Sequence, residues 1–136
     1  MSGLPLAAVV SAGQSHESRF IGAVVDAINV SQERGRPRKR PVRVVCDKGY
    51  SYRPVKEQLH KRGIGWVIPT RSNQKPSRCF DREAYRKRNI IERVIGWLKE
   101  YRRIGTRYEK LAIMYHAMVL LAFISEYLDH YLSDTP

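Results

Sequence analysis

The sequence predicts an α/β fold. Short β-branched apolar runs alternate with stretches whose apolar residues recur at helical spacing, and clusters of glycine, proline and polar residues separate them. The resulting order is strand, helix, strand, helix, strand, helix, helix. Hydrophobic residues make up 43% of the chain, enough for a real core and too many for wholesale disorder. Its 136 residues correspond to one compact domain or a piece of one.

Gly3-Leu4-Pro5 opens an apolar run, Leu4–Val10, that predicts a strand ended by Ala12-Gly13. Ser15 to Ser18 offers caps for a helix whose Phe20, Ile21, Val24, Val25 and Ile28 share one apolar face. Residues 34–41, Arg-Gly-Arg-Pro-Arg-Lys-Arg-Pro, combine like charges with two prolines and a glycine, so they predict an irregular loop. Val42–Cys46, β-branched and flanked by turn residues, predicts a buried strand. After the Asp47-Lys48-Gly49-Tyr50 turn, Arg53–Arg62 predicts a short helix with Val55 and Leu59 inward and Gly63 at the position beyond its cap. Ile64–Ile68 predicts the next strand, stopped by Pro69, and residues 69–80 a polar loop. Asp81 is placed to cap a long helix running to about Arg103, broken by Gly105-Thr106. A last helix, Tyr108 to Tyr131, is apolar nearly all round at Leu111–Ile124 and so needs burial within this chain or against something else.

Charge is segregated along the chain. Residues 34–110 carry 24 basic and seven acidic side chains, against a net charge of +12 for the whole. Such a block implies a polyanionic partner, with nucleic acid the first candidate and a solvated basic surface the plainer reading. The start of the chain lacks a basic region followed by a long apolar run, so no signal peptide is expected. Leu111–Ile124 falls short of the ~20 residues that span a bilayer, so no membrane is expected either. Cys46 and Cys79 fit neither a metal pattern nor a disulfide framework and read as reduced thiols.

Placed on one continuous helix at about 100° per residue, Tyr85, Arg88, Glu92 and Lys99 fall within a sector of about 60°. Ile91, Val94, Ile95 and Leu98 form a stripe about 100° away, while Trp97 lies off both. The helix is thus expected to pack on one side and present the four polar residues to a groove. Asp47 directly follows an apolar strand, where ligands of open α/β sheets collect. A carboxylate there and a second on a helix suit Mg²⁺, and two such ions clamp both oxygens of an in-line phosphoryl transfer. Each acid has a plainer role as well: Asp47 as a turn residue, Glu92 as the ion-pair partner of Arg88.

Val45-Cys46-Asp47-Lys48-Gly49-Tyr50, followed by Tyr85-x2-Arg88-x3-Glu92-x6-Lys99, resembles the DDE transposases of bacterial insertion sequences, within them the group with a Y-R-E-K signature. Flanking residues fit too: Phe80-Asp81-Arg82-Glu83 before the signature, Arg102 to Leu111 after it, and Gly3-Leu4-Pro5-Leu6 with Gly13-Gln14-Ser15-His16 upstream. The resemblance implies an RNase H-like fold, incomplete here, whose short central sheet lacks its first strands. It implies DNA strand cleavage and strand transfer with two Mg²⁺ or Mn²⁺ ions in the complete site. Asp47 and Glu92 would be the second catalytic aspartate and the glutamate, both metal ligands, and Tyr85, Arg88 and Lys99 would hold the DNA backbone. The partners would be transposon ends and target DNA in the bacterial cytoplasm at the nucleoid, together with a further copy or an amino-terminal part.

The family's first aspartate lies upstream of the Gly-Leu-Pro segment, so residues 1–136 read as the carboxyl part of a catalytic domain, unstable and inactive alone. Asp26 is on a predicted helix and Glu17 in a turn, so neither replaces it. A truncated relic, a misplaced start and a frameshift partner all fit. The basic residues Arg36, Arg38, Lys39 and Arg40 either grip phosphate or lie solvated. Tyr50, Tyr52 and Trp66 are expected mainly in packing, and His116 as a satisfied core histidine. The alternative function is a non-catalytic, transposase-derived DNA binder; a basic RNA-binding protein would explain the charge but not the aligned signature.

Overall fold

The computed structural model describes residues 3–75 and 80–133. Cys79 and part of the polar loop lie outside them. The chain divides into two compact units, Ala12–Arg88 and Met1–Ser11 with Asn89–Pro136.

Within Ala12–Arg88, a 3-10 turn (Glu17–Phe20) leads directly into helix α1 (Ile21–Asp26). The cap comes from His16, whose Nδ1 accepts from the Ser18 amide. Strand β1 (Arg43–Val45), helix α2 (Arg53–Lys61) and strand β2 (Gly65–Val67) then form a parallel unit with Val44 opposite Trp66. Two parallel strands cannot be joined by a tight turn, and α2 is the crossover they require. Pro54 at the start of α2 uses a position where no amide partner is needed. At its other end Gly63 takes φ +64°, its amide donates to the His60 carbonyl, and the Ile64 amide donates to the Leu59 carbonyl. That pair of bonds is a Schellman closure, and it brings Leu59 and Ile64 into the same core. Leu59 is 1% exposed, with Ile21, Val25, Val55 and Ile68 around it and Val44, Cys46, Tyr50, Tyr52 and Trp66 packed against them. The two aromatic turn residues and Trp66 therefore act in packing.

The basic segment is less loose than its composition predicts. Val30 and Arg38 exchange both backbone hydrogen bonds, at 3.0 and 2.8 Å, in an isolated antiparallel bridge. The Arg40 guanidinium donates to the Arg62 carbonyl at the C-terminus of α2, where a cation is favoured.

The expected long helix is three helices: α3 (Arg82–Arg86), α4 (Asn89–Glu100) and α5 (Arg102–Gly105). Asp81 does cap the first, its Oδ1 accepting from the Ala84 amide at 2.8 Å while Oδ2 accepts from Arg43 on β1. The Lys87 and Arg88 amides then donate three residues back, to Ala84 and Tyr85, which tightens the helix end and stops its propagation. The boundary between the two compact units falls at this break, after Arg88. The second break is at Tyr101, in extended backbone, four residues before the expected glycine. Gly105 instead closes α5, where a β-carbon would run into the Lys99 carbonyl oxygen.

In the other unit, α4 and α5 pack with α6 (Ala112–Ser133) around Ile104, Val119 and Ala122. The inward face of α4 is Trp97 and Leu98, continued by Tyr101. Ile91 and Ile95, expected in the core, are 49% and 46% exposed. Trp97 displaces them because it offers far more area to bury and meets Tyr101 edge-on at 5.1 Å. Leu4–Val10 forms no strand, since it has no ladder partner among the described residues. It lies on helices instead: the Tyr127 hydroxyl donates to the Pro5 carbonyl, and Ala8 packs on the Ile104 cluster.

α6 runs 22 residues, longer than the apolar stretch alone suggests, and by length and composition it could cross a membrane. Only Val119 and Ala122 of it are buried, and Leu121, Ile124, Leu128 and Tyr131 are exposed. His116 is not satisfied as expected: its Nε2 is buried without a hydrogen-bond partner among the described residues. Such an orphaned group costs about 1–3 kcal/mol. His116→Leu is therefore expected to stabilise the fold by about 1 kcal/mol in chemical denaturation; an equal loss would show that the imidazole has a partner.

Asp81 supplies a pH test of the α3 cap. Its carboxyl is held below its ordinary value of 3.8, first by the Ala84 amide and then by Arg43. A lowered folded-state value means stability that is present above 3.8 and lost as the pH falls through the lowered value. Asp81→Ala is expected to lower the urea midpoint at about pH 6, and the difference is expected to shrink as the pH falls below 3.8. An undiminished difference at the lower pH would remove the carboxylate from the account.

Candidate functional site

Asp47 stands two residues beyond β1, at the carboxyl end of the parallel pair. Its Oδ1 accepts from the Gly49 amide at 2.7 Å and so caps a 3-10 turn, Lys48–Tyr50. A β-carbon on residue 49 would sit 2.8 Å from that oxygen, so glycine is what allows the carboxylate to fold back. The turn role and a chemical role are compatible, because no hydrogen bond among the described residues engages Oδ2. Asp47 borders a concavity of about 260 Å³ shared with Ser15, His16, Glu17, Ser18, Gly49 and Tyr50.

The two side chains beside Asp47 are partly dry. Burial, then Glu17, Cys46 and Asp47, push the Tyr50 hydroxyl up to about 12. Burial and the neighbouring Asp47 push the Cys46 thiol up to about 11. Cys46 is free, and at neutral pH it is a protonated thiol that packs rather than a nucleophile.

Tyr85 lies on α3, with Phe80 on one side at 5.3 Å and the Arg88 guanidinium 5.7 Å from its ring centre. That distance is within cation–π range, so Tyr85 and Arg88 form a local pair. Glu92 and Lys99 are on α4, seven residues apart and therefore on one face of it. The single sector drawn for all four residues rests on a continuous helix, and the helix is interrupted at Lys87-Arg88, so the wheel no longer supports it. Asp47, Tyr85 and Arg88 belong to the Ala12–Arg88 unit; Glu92 and Lys99 belong to the other. Glu92 in the first turn of α4 and Lys99 in its last also complement the helix dipole.

Charge separates the two units completely. Ala12–Arg88 contains 19 basic and seven acidic residues, net +12, whereas the other unit has six of each. Arg36, Arg38, Lys39 and Arg40 are all exposed on the charged unit. Among the described residues, no three His, Cys, Asp or Glu side chains converge as metal donors. Asp47 and Glu92 are hard oxygen donors of the right type, but the described residues do not make a complete metal centre.

Residues that sequence reasoning passed over are Arg71 and Gln74. They reach from the polar loop to the Asp47 turn, with hydrogen bonds at separations of 22 and 23 residues that no local pattern announces.

Two family profiles, each described as a transposase DDE domain, match residues 44–128 and 1–81. A Burkholderia cepacia protein described as a transposase for insertion sequence element IS402 is 31% identical over 121 residues. That similarity covers 88% of this chain but 55% of the relative, so the chain spans little more than half its length. No solved structure matches. With a turn-capping carboxylate at the end of a parallel strand, a strongly basic unit around it, and family matches that together run from the first residue to residue 128, the chain belongs to the DDE transposases of insertion sequences.

Proposed function

We propose that this chain is the carboxyl part of an RNase H-like transposase catalytic domain, acting on DNA in the movement of an insertion sequence. The observation that carries the reading is Asp47: a carboxylate at the carboxyl end of a parallel strand, with an oxygen that no hydrogen bond among the described residues engages, inside the unit that holds all the net charge. DDE transposase domains generally use divalent metal ions. In this reading Asp47 and Glu92 are two of the carboxylates that hold Mg²⁺ or Mn²⁺, and an upstream part supplies the first aspartate. The bound ions would neutralise developing charge on the phosphate.

The chain's own residues do the rest. The Tyr85–Arg88 pair offers an aromatic edge and a guanidinium fork to one phosphate, and Lys99 offers a point charge. Arg36, Arg38 and Lys39, with Arg40 also tied to α2, grip the backbone without reading sequence. The working form then contains DNA ends, target DNA, and either further copies or the amino-terminal part.

The test supplies the upstream part and measures Mg²⁺-dependent nicking of element-end DNA. Asp47→Asn and Glu92→Gln are each expected to lower the rate more than about 100-fold, beyond the loss typical of outer-shell partners. Replacing Arg36, Arg38, Lys39 and Arg40 by alanine is expected to flatten the slope of log K against log salt by roughly 3. Unchanged nicking in both carboxylate variants would leave only the non-catalytic DNA binder, and an unchanged salt slope would remove the basic segment from the interface.

A further inference from the structure

The turn that carries Asp47 is held in place by side chains from far along the chain. Ser51, which closes that turn, is fully buried. Gln74 grips it from both sides: its Nε2 donates to the Ser51 carbonyl at 2.8 Å, and its Oε1 accepts from the Ser51 hydroxyl at 2.7 Å. The same Oε1 accepts from the Arg71 amide at 3.3 Å, so Gln74 also fixes the start of its own loop. The Arg71 guanidinium donates to the Lys48 carbonyl at 3.3 Å and to the Gly49 carbonyl at 3.4 Å, and lies 4.1 Å from the centre of the Tyr52 ring. The carbonyls of residues 48, 49 and 51 are thus all tied by two side chains.

These are the peptides that set the direction of the Gly49 amide. That amide in turn holds Asp47 Oδ1 at 2.7 Å and fixes the rotamer of the carboxylate. Burial alone calls for the Gln74 bonds to Ser51, but the exposed Lys48 carbonyl would be satisfied by water at little cost and is held by Arg71 all the same. Four side-chain bonds from two distant residues onto one short turn make sense where the turn's carboxylate needs a defined position.

We propose that Arg71 and Gln74 are positioning residues, which act through the Lys48–Ser51 turn to hold the Asp47 carboxylate in its working orientation. The inference rests on the reading of Asp47 as catalytic. They do not touch the reacting atoms themselves.

The test uses the full chain and reads amide hydrogen exchange by NMR at Gly49, with Leu59 in the core of α2 as an internal reference. Gln74→Ala is expected to speed exchange at Gly49 by about tenfold or more and to leave Leu59 within about twofold. Ser51→Ala deletes one bond of the network and is expected to give a smaller change of the same sign; it decides the matter if Gln74→Ala also exposes Leu59. Gly49 exchange within about twofold of wild type in the informative variant would overturn the clamp. In the complemented nicking assay, Gln74→Ala is expected to lower kcat by about 10–100-fold with KM for DNA unchanged. Full activity in Gln74→Ala where Asp47→Asn is dead would overturn the positioning role alone. Full activity in Asp47→Asn would overturn the catalytic reading beneath it, whatever Gln74→Ala does.

Discussion

The parallel pairing of β1 with β2 is the constraint from which the rest of the Ala12–Arg88 unit follows. Two strands running the same way leave their joined ends far apart, so the chain has to cross back over the sheet. α2 makes that crossing, and Leu59 and Val55 bury its inner face. The crossing also decides where Asp47 stands. The residues between β1 and α2 have to turn at the carboxyl end of the strand, and the turn chosen is one whose first residue accepts a backbone amide through its side chain. Aspartate meets that need structurally, and the same placement puts the residue at the carboxyl end of the strand, where ligands of α/β sheets collect.

Much of this unit was legible in the sequence because its determinants are local. Val55 and Leu59 inside α2 and Gly63 beyond it are short-range signals, and each is used as expected. The β-branched run before Asp47 likewise became a strand, shorter than Val42–Cys46 and only half-buried, with Val42 78% exposed. What was not legible depended on contacts distant in sequence. Leu4–Val10 has the composition of a strand, but strand formation requires a neighbour, and these residues lie on α6 and its cluster instead. Ile91 and Ile95 have the spacing of a core stripe, but which apolar residues face inward was settled by the size of Trp97 and by the aromatic partner that Tyr101 gave it.

The signature helix shows how a sound local reading fails at one joint. Asp81 caps as expected, and the apolar spacing beyond residue 89 is helical. The wheel fails because two consecutive amides, those of Lys87 and Arg88, bond three residues back rather than four. The rise and rotation per residue change there, and angles summed from Tyr85 no longer describe Lys99. The family was correspondingly legible by residue type and spacing, in a resemblance that the profiles bear out, and not by helix geometry; the roles of the site residues rest on that resemblance alone. Arg71 and Gln74 were invisible for the opposite reason: their sequence neighbourhood says only that it is a polar loop, and their partners are more than twenty residues away.

The separation of charge from apolar surface gives the two units different physical tasks. All of the net +12 lies on Ala12–Arg88, so attraction to a polyanion, with its salt dependence, is a property of that unit. The other unit is neutral by count, and its long helix leaves Leu121, Ile124 and Leu128 exposed. Glu92 and Lys99 sit on this neutral unit, each at the end of α4 that its charge favours. Their types are therefore explained by helix electrostatics without any DNA, whereas the dense cationic surface of the first unit is not explained by any internal need. Its few acids are partly committed to structure, with Asp26 paired to Arg62, Asp81 to Arg43 and Glu57 to Arg53. Nineteen cations against seven acids on one unit carry a cost in self-repulsion that a polyanionic partner relieves. Among the physical observations on this chain, that imbalance argues most directly that its working state includes nucleic acid.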